Sequence, residues 1–104
     1  MIYRGQVNIH VEQTSDAEPM VFGVTVEDRG VQTQHRVTLT SATWQRLTGG
    51  GTEPQECVRA AFRFLLEREQ PSEILPSFDL NVIKMYFPNF ERDFPEYLQS
   101  GAER

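Results

Sequence analysis

The chain is expected to take an α+β fold: an N-terminal three-stranded antiparallel meander followed by helices packed on one face of the sheet. Two features of the sequence predict this. Apolar and polar residues alternate up to Thr40, and from Ser41 onward apolar residues recur at helical spacing. A third feature, the shortness of the turn-rich links between the alternating runs, makes neighbouring strands antiparallel. In Tyr3–Glu12, Val7, Ile9 and Val11 stand against Gln6, Asn8, His10 and Glu12. Met20, Phe22, Val24 and Val26 form a second apolar row opposed by Gly23, Thr25 and Glu27. Val31, Val37 and Leu39 form a third, with Gln32, Gln34, Arg36, Thr38 and Thr40 facing away. A period of two describes strands with one buried and one wet face. Gln13–Pro19 is rich in turn formers, and Asp28-Arg29-Gly30 is a tighter turn in which Gly30 takes positive φ. No residue pattern blunts both outer strands, so an exposed sheet edge is expected.

The helical part begins with a short helix carrying Ala42, Trp44 and Leu47, N-capped by Thr40 or Ser41 and ended by Gly49-Gly50-Gly51. Thr52-Glu53-Pro54-Gln55 has the form of a capping box, with Pro54 tolerated in the first turn. The helix it opens is predicted to reach Glu69, with Cys57, Val58, Ala61, Phe62, Leu65 and Leu66 on one apolar face. Pro71 and Pro76 bracket a connector in which Ile74 and Leu75 are expected to point inward. Ser77 or Asp79 then caps a helix over Leu80–Phe87, stopped by Pro88. Phe90, Phe94 and Tyr97 repeat at helical spacing, but Pro95 predicts a kinked or broken terminal helix that lays its aromatics on the sheet. One domain over residues 1–100 is expected, with residues 101–104 frayed.

Composition narrows the function classes. At 104 residues the chain has the common size of one domain, and its seven Phe supply a core without disulfides or metal. The formal net charge is −5, with the acid excess mainly in the second half and only one Lys among ten basic residues. A chain without a basic cluster argues against nucleic-acid binding and against anionic membranes. Cys57 is the only cysteine, as suits a reducing compartment, and no apolar run reaches the ~20 residues of a membrane span. The N-terminus carries no signal-peptide pattern, so a cytoplasmic location is expected.

The segments LTGGGTEPQECVRAAFRFLLERE and ILPSFDLNVIKMYFPNF lie within residues 37–90. They resemble a family of small uncharacterised bacterial proteins in which a β-rich half precedes a "FLLERE" helix and a "SFDLxVIxxYFP" segment. Ser77–Pro88 carries the most specific part of that resemblance. It implies the fold and a bacterial origin, and it assigns no activity, cofactor or functional residue.

Each candidate for chemistry has a plainer reading beside it. His10 and Glu12 share the polar face of one strand and are two metal-ligand types, but two ligands make no site, and polar surface is the default. His35 has inward parity on the third strand, so a meander keeps it away from His10. Cys57, in the first turns of a helix, is in a position where the dipole lowers a thiol pKa, yet it lies in line with Ala61 and Leu65, as a core residue would. Gly49–Thr52 precedes a helix N-terminus without the lysine of a phosphate loop and reads as a connector. Asp79 and Asp93 sit at capping positions, and Glu91 and Glu96 suit a solvated face. No catalytic, cofactor-binding or metal-binding residue is therefore assigned. Phe78, Tyr86, Phe87, Phe90, Phe94 and Tyr97 are more rings than a three-stranded sheet readily covers. Tyr86, Phe87, Phe90, Phe94 and Tyr97 are accordingly the candidate interaction residues.

The leading expectation is a non-enzymatic interaction module that binds a partner protein, or itself as a homodimer, through a sheet edge or the C-terminal aromatic surface. One alternative is a small-molecule-binding or catalytic pocket between sheet and helices, using His35, Trp44, Cys57 or Tyr86. Another is an antitoxin-like or transcriptional regulatory protein.

Overall fold

The computed structural model describes residues 7–102. The strand start expected over residues 3–6 and the fraying expected at 103–104 lie outside the described residues. Gly101 and Ala102 are helical.

The three alternating runs form β1 (Val7–Ser15), β2 (Met20–Asp28) and β3 (Val31–Leu39), paired antiparallel in sequence order. Val11 lies opposite Val24, and Val24 opposite His35. Arg29 and Gly30, with φ of 58° and 83°, make the two-residue turn between β2 and β3. Positive φ at both central positions gives a turn whose twist matches that of the flanking strands. Val31, expected inward, is instead 64% exposed, because it closes the hairpin at Asp28, beyond the reach of the helix layer.

A fourth strand, β4 (Ser77–Asp79), extends the sheet by pairing parallel to β3, with Ser77 opposite Arg36 and Asp79 opposite Thr38. Three residues show no period, and their partner lies far back in the chain, so nothing local announced this strand. The Thr38 hydroxyl donates to the Asp79 carboxylate at 2.7 Å. The other carboxylate oxygen of Asp79 accepts the backbone N–H of Asn81 at 3.0 Å, starting the 3-10 turn Leu80–Val82.

Helix α1 (Ser41–Thr48) is N-capped by Thr40, whose hydroxyl accepts the Thr43 N–H at 3.1 Å. Gly49, at φ 72°, closes it with its N–H on the Gln45 carbonyl. The Trp44 indole N–H donates to the Thr52 carbonyl at 2.7 Å and ties α1 to the start of α2 (Pro54–Leu66). The expected capping box does not form. Thr52 is held outside the helix by Trp44, Glu53 takes the N-cap position without a side-chain bond, and the Gln55 amide reaches the Val11 carbonyl at 3.4 Å instead. Helix α2 ends at Leu66 rather than Glu69. The N–H groups of both Arg68 and Glu69 turn back onto the Leu65 carbonyl.

Cys57, Val58, Ala61, Phe62 and Leu65 of α2 are buried against Val11, Phe22, Val24, Val26, Val37 and Leu39 of the sheet. The opposite face of the sheet is wet: Asn8, His10, Glu12, Gln32, Gln34 and Arg36 are exposed on it. The span Leu80–Phe87 is a 3-10 turn followed by a single turn, α3 (Ile83–Tyr86), rather than one helix. Helix α4 (Phe90–Ala102) runs through Pro95 without the expected break, and it packs on α2 rather than on the sheet.

The free edge of the sheet at β1 is partly closed. The two-residue turn directs the backbone groups of Val24 and Val26 toward β3, so the Ile9 and Val11 carbonyls face outward. Arg59 of α2 donates to the Ile9 carbonyl at 3.0 Å and Gln55 to that of Val11. Side-chain donors on edge carbonyls leave fewer groups for another strand to pair with.

Candidate functional site: an apolar groove beside β4

The structure disperses the residues that sequence chemistry had singled out. His10 lies opposite Thr25 on the wet face, whereas His35 points into the core from β3. The His35 ring packs on Phe62 with centroids 5.5 Å apart. Its Nδ1 donates to the Leu75 carbonyl at 2.8 Å, since a carbonyl only accepts. In the neutral ring Nε2 then accepts the Thr33 hydroxyl at 2.9 Å. Both nitrogens are thus occupied: Nδ1 holds the 71–76 connector to β3, and Nε2 ties the ring to Thr33 on its own strand. Burial pushes the Cys57 thiol from its ordinary 9.0 up to about 12, the opposite of the dipole-activated thiol considered from sequence. At the start of α2, Glu53 and Glu56 place carboxylates where an anion would have to bind, and Pro54 offers no N–H. Asp79 caps the 3-10 turn as expected. Asp93 does not cap. It sits inside α4, 3.1 Å from Arg92 and 3.9 Å from Arg68. Glu91 accepts Arg46 at 2.9 Å. Among the described residues, no three of His, Cys, Asp and Glu converge on a point where they would hold a metal, and no helix is long and apolar enough to cross a membrane.

The aromatic set divides. Phe90 and Phe94 are 1% and 0% exposed, which removes them from any docking surface of the folded chain. Phe64 is the reason: this buried α2 ring takes Phe87, Phe90 and Tyr97 edge-on, with centroids 5.7, 4.9 and 5.5 Å away. The Arg68 guanidinium stacks 3.7 Å from its centroid. Tyr97 is half-buried, its hydroxyl donating to Glu67 at 2.7 Å and accepting from Arg68 at 3.2 Å. Desolvation first, and then the Glu67 bond, raises the Tyr97 pKa, with Arg68 opposing. Tyr86 is left 64% exposed and Phe87 half-buried.

These last two rings form one wall of a groove. Phe78 of β4, Ile74 and Ile83 line it, and Leu65 closes the side toward α2. Leu75, expected to point inward, also lines it and stands 44% exposed. Its carbonyl is the one held by His35, so a buried histidine fixes the position of an exposed leucine. The volume of the groove is about 120 Å³. Met85, beside Tyr86 on α3, is 76% exposed, so three large apolar side chains stand in water around or next to this opening.

The charged side chains lining the groove are Glu69 and Glu73. Glu73 accepts the Gln70 N–H at 2.8 Å. Burial first, and the neighbouring Glu73 second, hold the Glu69 carboxyl above its ordinary range. Of the groove residues, sequence reading picked out Phe78, Tyr86 and Phe87. It missed Leu75, Glu69 and Glu73, although their spacing around Pro71 was the available signal: a helix end, a proline turn and an apolar pair.

No protein-family model matches the chain, and no curated protein and no solved structure matches it.

Proposed function

We propose that the protein is a non-enzymatic interaction module that docks a short segment of a partner protein in the groove between the 71–76 connector and α3. The observation that carries this reading is a preformed apolar opening with Leu75 and Tyr86 exposed on its lips. Large apolar side chains gathered around a concavity are the anatomy of an anchor site, whereas singly scattered ones are ordinary. Size speaks against a small-molecule ligand in this groove. Ligand pockets run from roughly 300 Å³ upward, while a cavity of about 150 Å³ holds one benzene-sized group. At about 120 Å³ the groove suits a single side chain. The polar groups considered for catalysis do not help that alternative, because His35 and Cys57 are buried and Trp44 is bonded to Thr52. The sheet edge is the weaker docking route, because Arg59 and Gln55 occupy the carbonyls of β1.

Quantitative co-purification with Leu75→Asp and Tyr86→Asp tests the proposal. Both positions are exposed, so the variants are expected to keep the far-ultraviolet spectrum of the parent. Partners retained by the parent are expected to be lost with both variants. A retained set identical for parent and variants would defeat the reading.

A further inference from the structure

We infer that the groove takes a partner segment in which one apolar side chain stands next to a Lys or Arg. This rests on the docking reading above and names the chemistry of its partner.

The interior accepts one apolar group. Ile74, Phe78 and Ile83 present only hydrocarbon to it, and about 120 Å³ matches one such group. The mouth adds a sign. Glu69 and Glu73 both line it, close enough that Glu73 raises the Glu69 pKa. Among the described residues Glu69 makes no ion pair or side-chain hydrogen bond, and Glu73 is engaged only by the Gln70 N–H. The nearby cations are spent elsewhere: Arg68 on the Phe64 ring, the Tyr97 hydroxyl and Asp93, and Lys84 on Glu91 at 3.8 Å. Two like charges at the rim of an apolar site repel an acidic partner and gain from a cationic one. A cation placed there relieves the Glu69–Glu73 repulsion as well as adding its own attraction. The chain's net charge of −5 favours approach of the same partner at longer range.

A second copy of the chain is the competing occupant. Away from the groove itself, the large apolar side chain it could offer among the described residues is Val31, 64% exposed beside Arg29 at the hairpin tip. A knob on one end and a hole elsewhere make a head-to-tail contact that grows into chains or rings, and one hairpin tip falls well short of the roughly 1,000 Å² of a stable interface.

The experiment is selection of a displayed library of random heptapeptides on the full chain, with counter-selection on the Leu75→Asp/Tyr86→Asp variant. Enriched peptides are then synthesised and their affinities measured for the parent and for Glu69→Gln/Glu73→Gln. The expected result is an apolar residue flanked by Lys or Arg, bound at least fivefold more weakly by the double Gln variant and more weakly in high salt. Groove-dependent peptides that are neutral or acidic, or that ignore the Gln changes, would overturn the inference and leave the docking reading standing. No enrichment over the counter-selected variant would overturn both. Sedimentation showing concentration-dependent association that Val31→Asp abolishes would replace the partner segment with a second copy.

Discussion

Cys57 shows how placement overrides local context. Near a helix N-terminus a thiol is activated when water reaches it, and here none does, so burial dominates and the thiol stays protonated. The folded chain therefore binds a proton that the unfolded chain releases above pH 9.0. Stability from this group is fully present below that value and falls as pH rises toward about 12. The limiting slope is about 1.4 kcal/mol per pH unit. Urea denaturation of parent and Cys57→Ala is expected to show this slope in the parent and its absence in the variant. At neutral pH, Cys57→Ala is expected to lose about 1 kcal/mol, and Cys57→Ser more, because a hydroxyl there has no partner.

Glu69 has the same sign of shift at a half-exposed site. Its folded carboxyl is held above the ordinary range, so the neutral form suits the fold. That contribution is present below the ordinary value of 4.5 and lost as pH rises through the folded value. Glu69→Gln mimics the protonated group. It is expected to raise stability at neutral pH by a few tenths of a kcal/mol once solvent screening is allowed for, and the gain is expected to vanish in acid. Thermal melts at both pH values check this.

Among the elements, α4 is where a strong local signal lost. Pro95 removes the N–H that would pair with the Glu91 carbonyl, a penalty of up to about 3 kcal/mol in a helix interior. Against it stand Phe90 and Phe94, fully buried on the same face. Each is worth about 1.5–3 kcal/mol, and edge-to-face pairing adds more. Pro95 itself is exposed, so water can serve the freed carbonyl. Pro95→Ala is accordingly expected to stabilise the chain by about 1–2 kcal/mol in urea denaturation. Phe64→Ala removes the ring on which α4 docks. It is expected to lose about 3–5 kcal/mol, with hydrogen exchange rising in α4 before it rises in β2. If protection fell equally in both, α4 would not be a separate cooperative unit.

Over the whole molecule, the two faces of the sheet divide the labour. One face holds the core and, through His35 and Leu75, sets one lip of the groove. The other is polar and open. Gln34→Glu on the open face is expected to change stability by less than about 0.5 kcal/mol and to leave groove binding unchanged. A tenfold loss of binding in that variant would mean that the wet face also contacts the partner.

The alternation of Val7–Leu39 and the 3.6 period of Cys57–Leu65 were legible because each is a local consequence of having one buried side. The interior place of Cys57 followed for the same reason, while the turn at Gly30 and a cap at Thr40 or Ser41 were legible from local turn and capping chemistry. Four features needed the third dimension. Strand β4 exists only because Ser77–Asp79 meets β3 after α1 and α2 have intervened. The capping box failed because Trp44 and Val11, distant in sequence, claimed its members. Helix α4 ran through Pro95 because Phe64 rewarded the rings on either side of it. The groove, with Leu75 outside and Phe90 inside, arose where three separate segments stop short of covering one another. Periodicity in a chain records which side of each element faces in. Only packing decides which of those inward sides find enough neighbours, and where a part of one is left open to a partner.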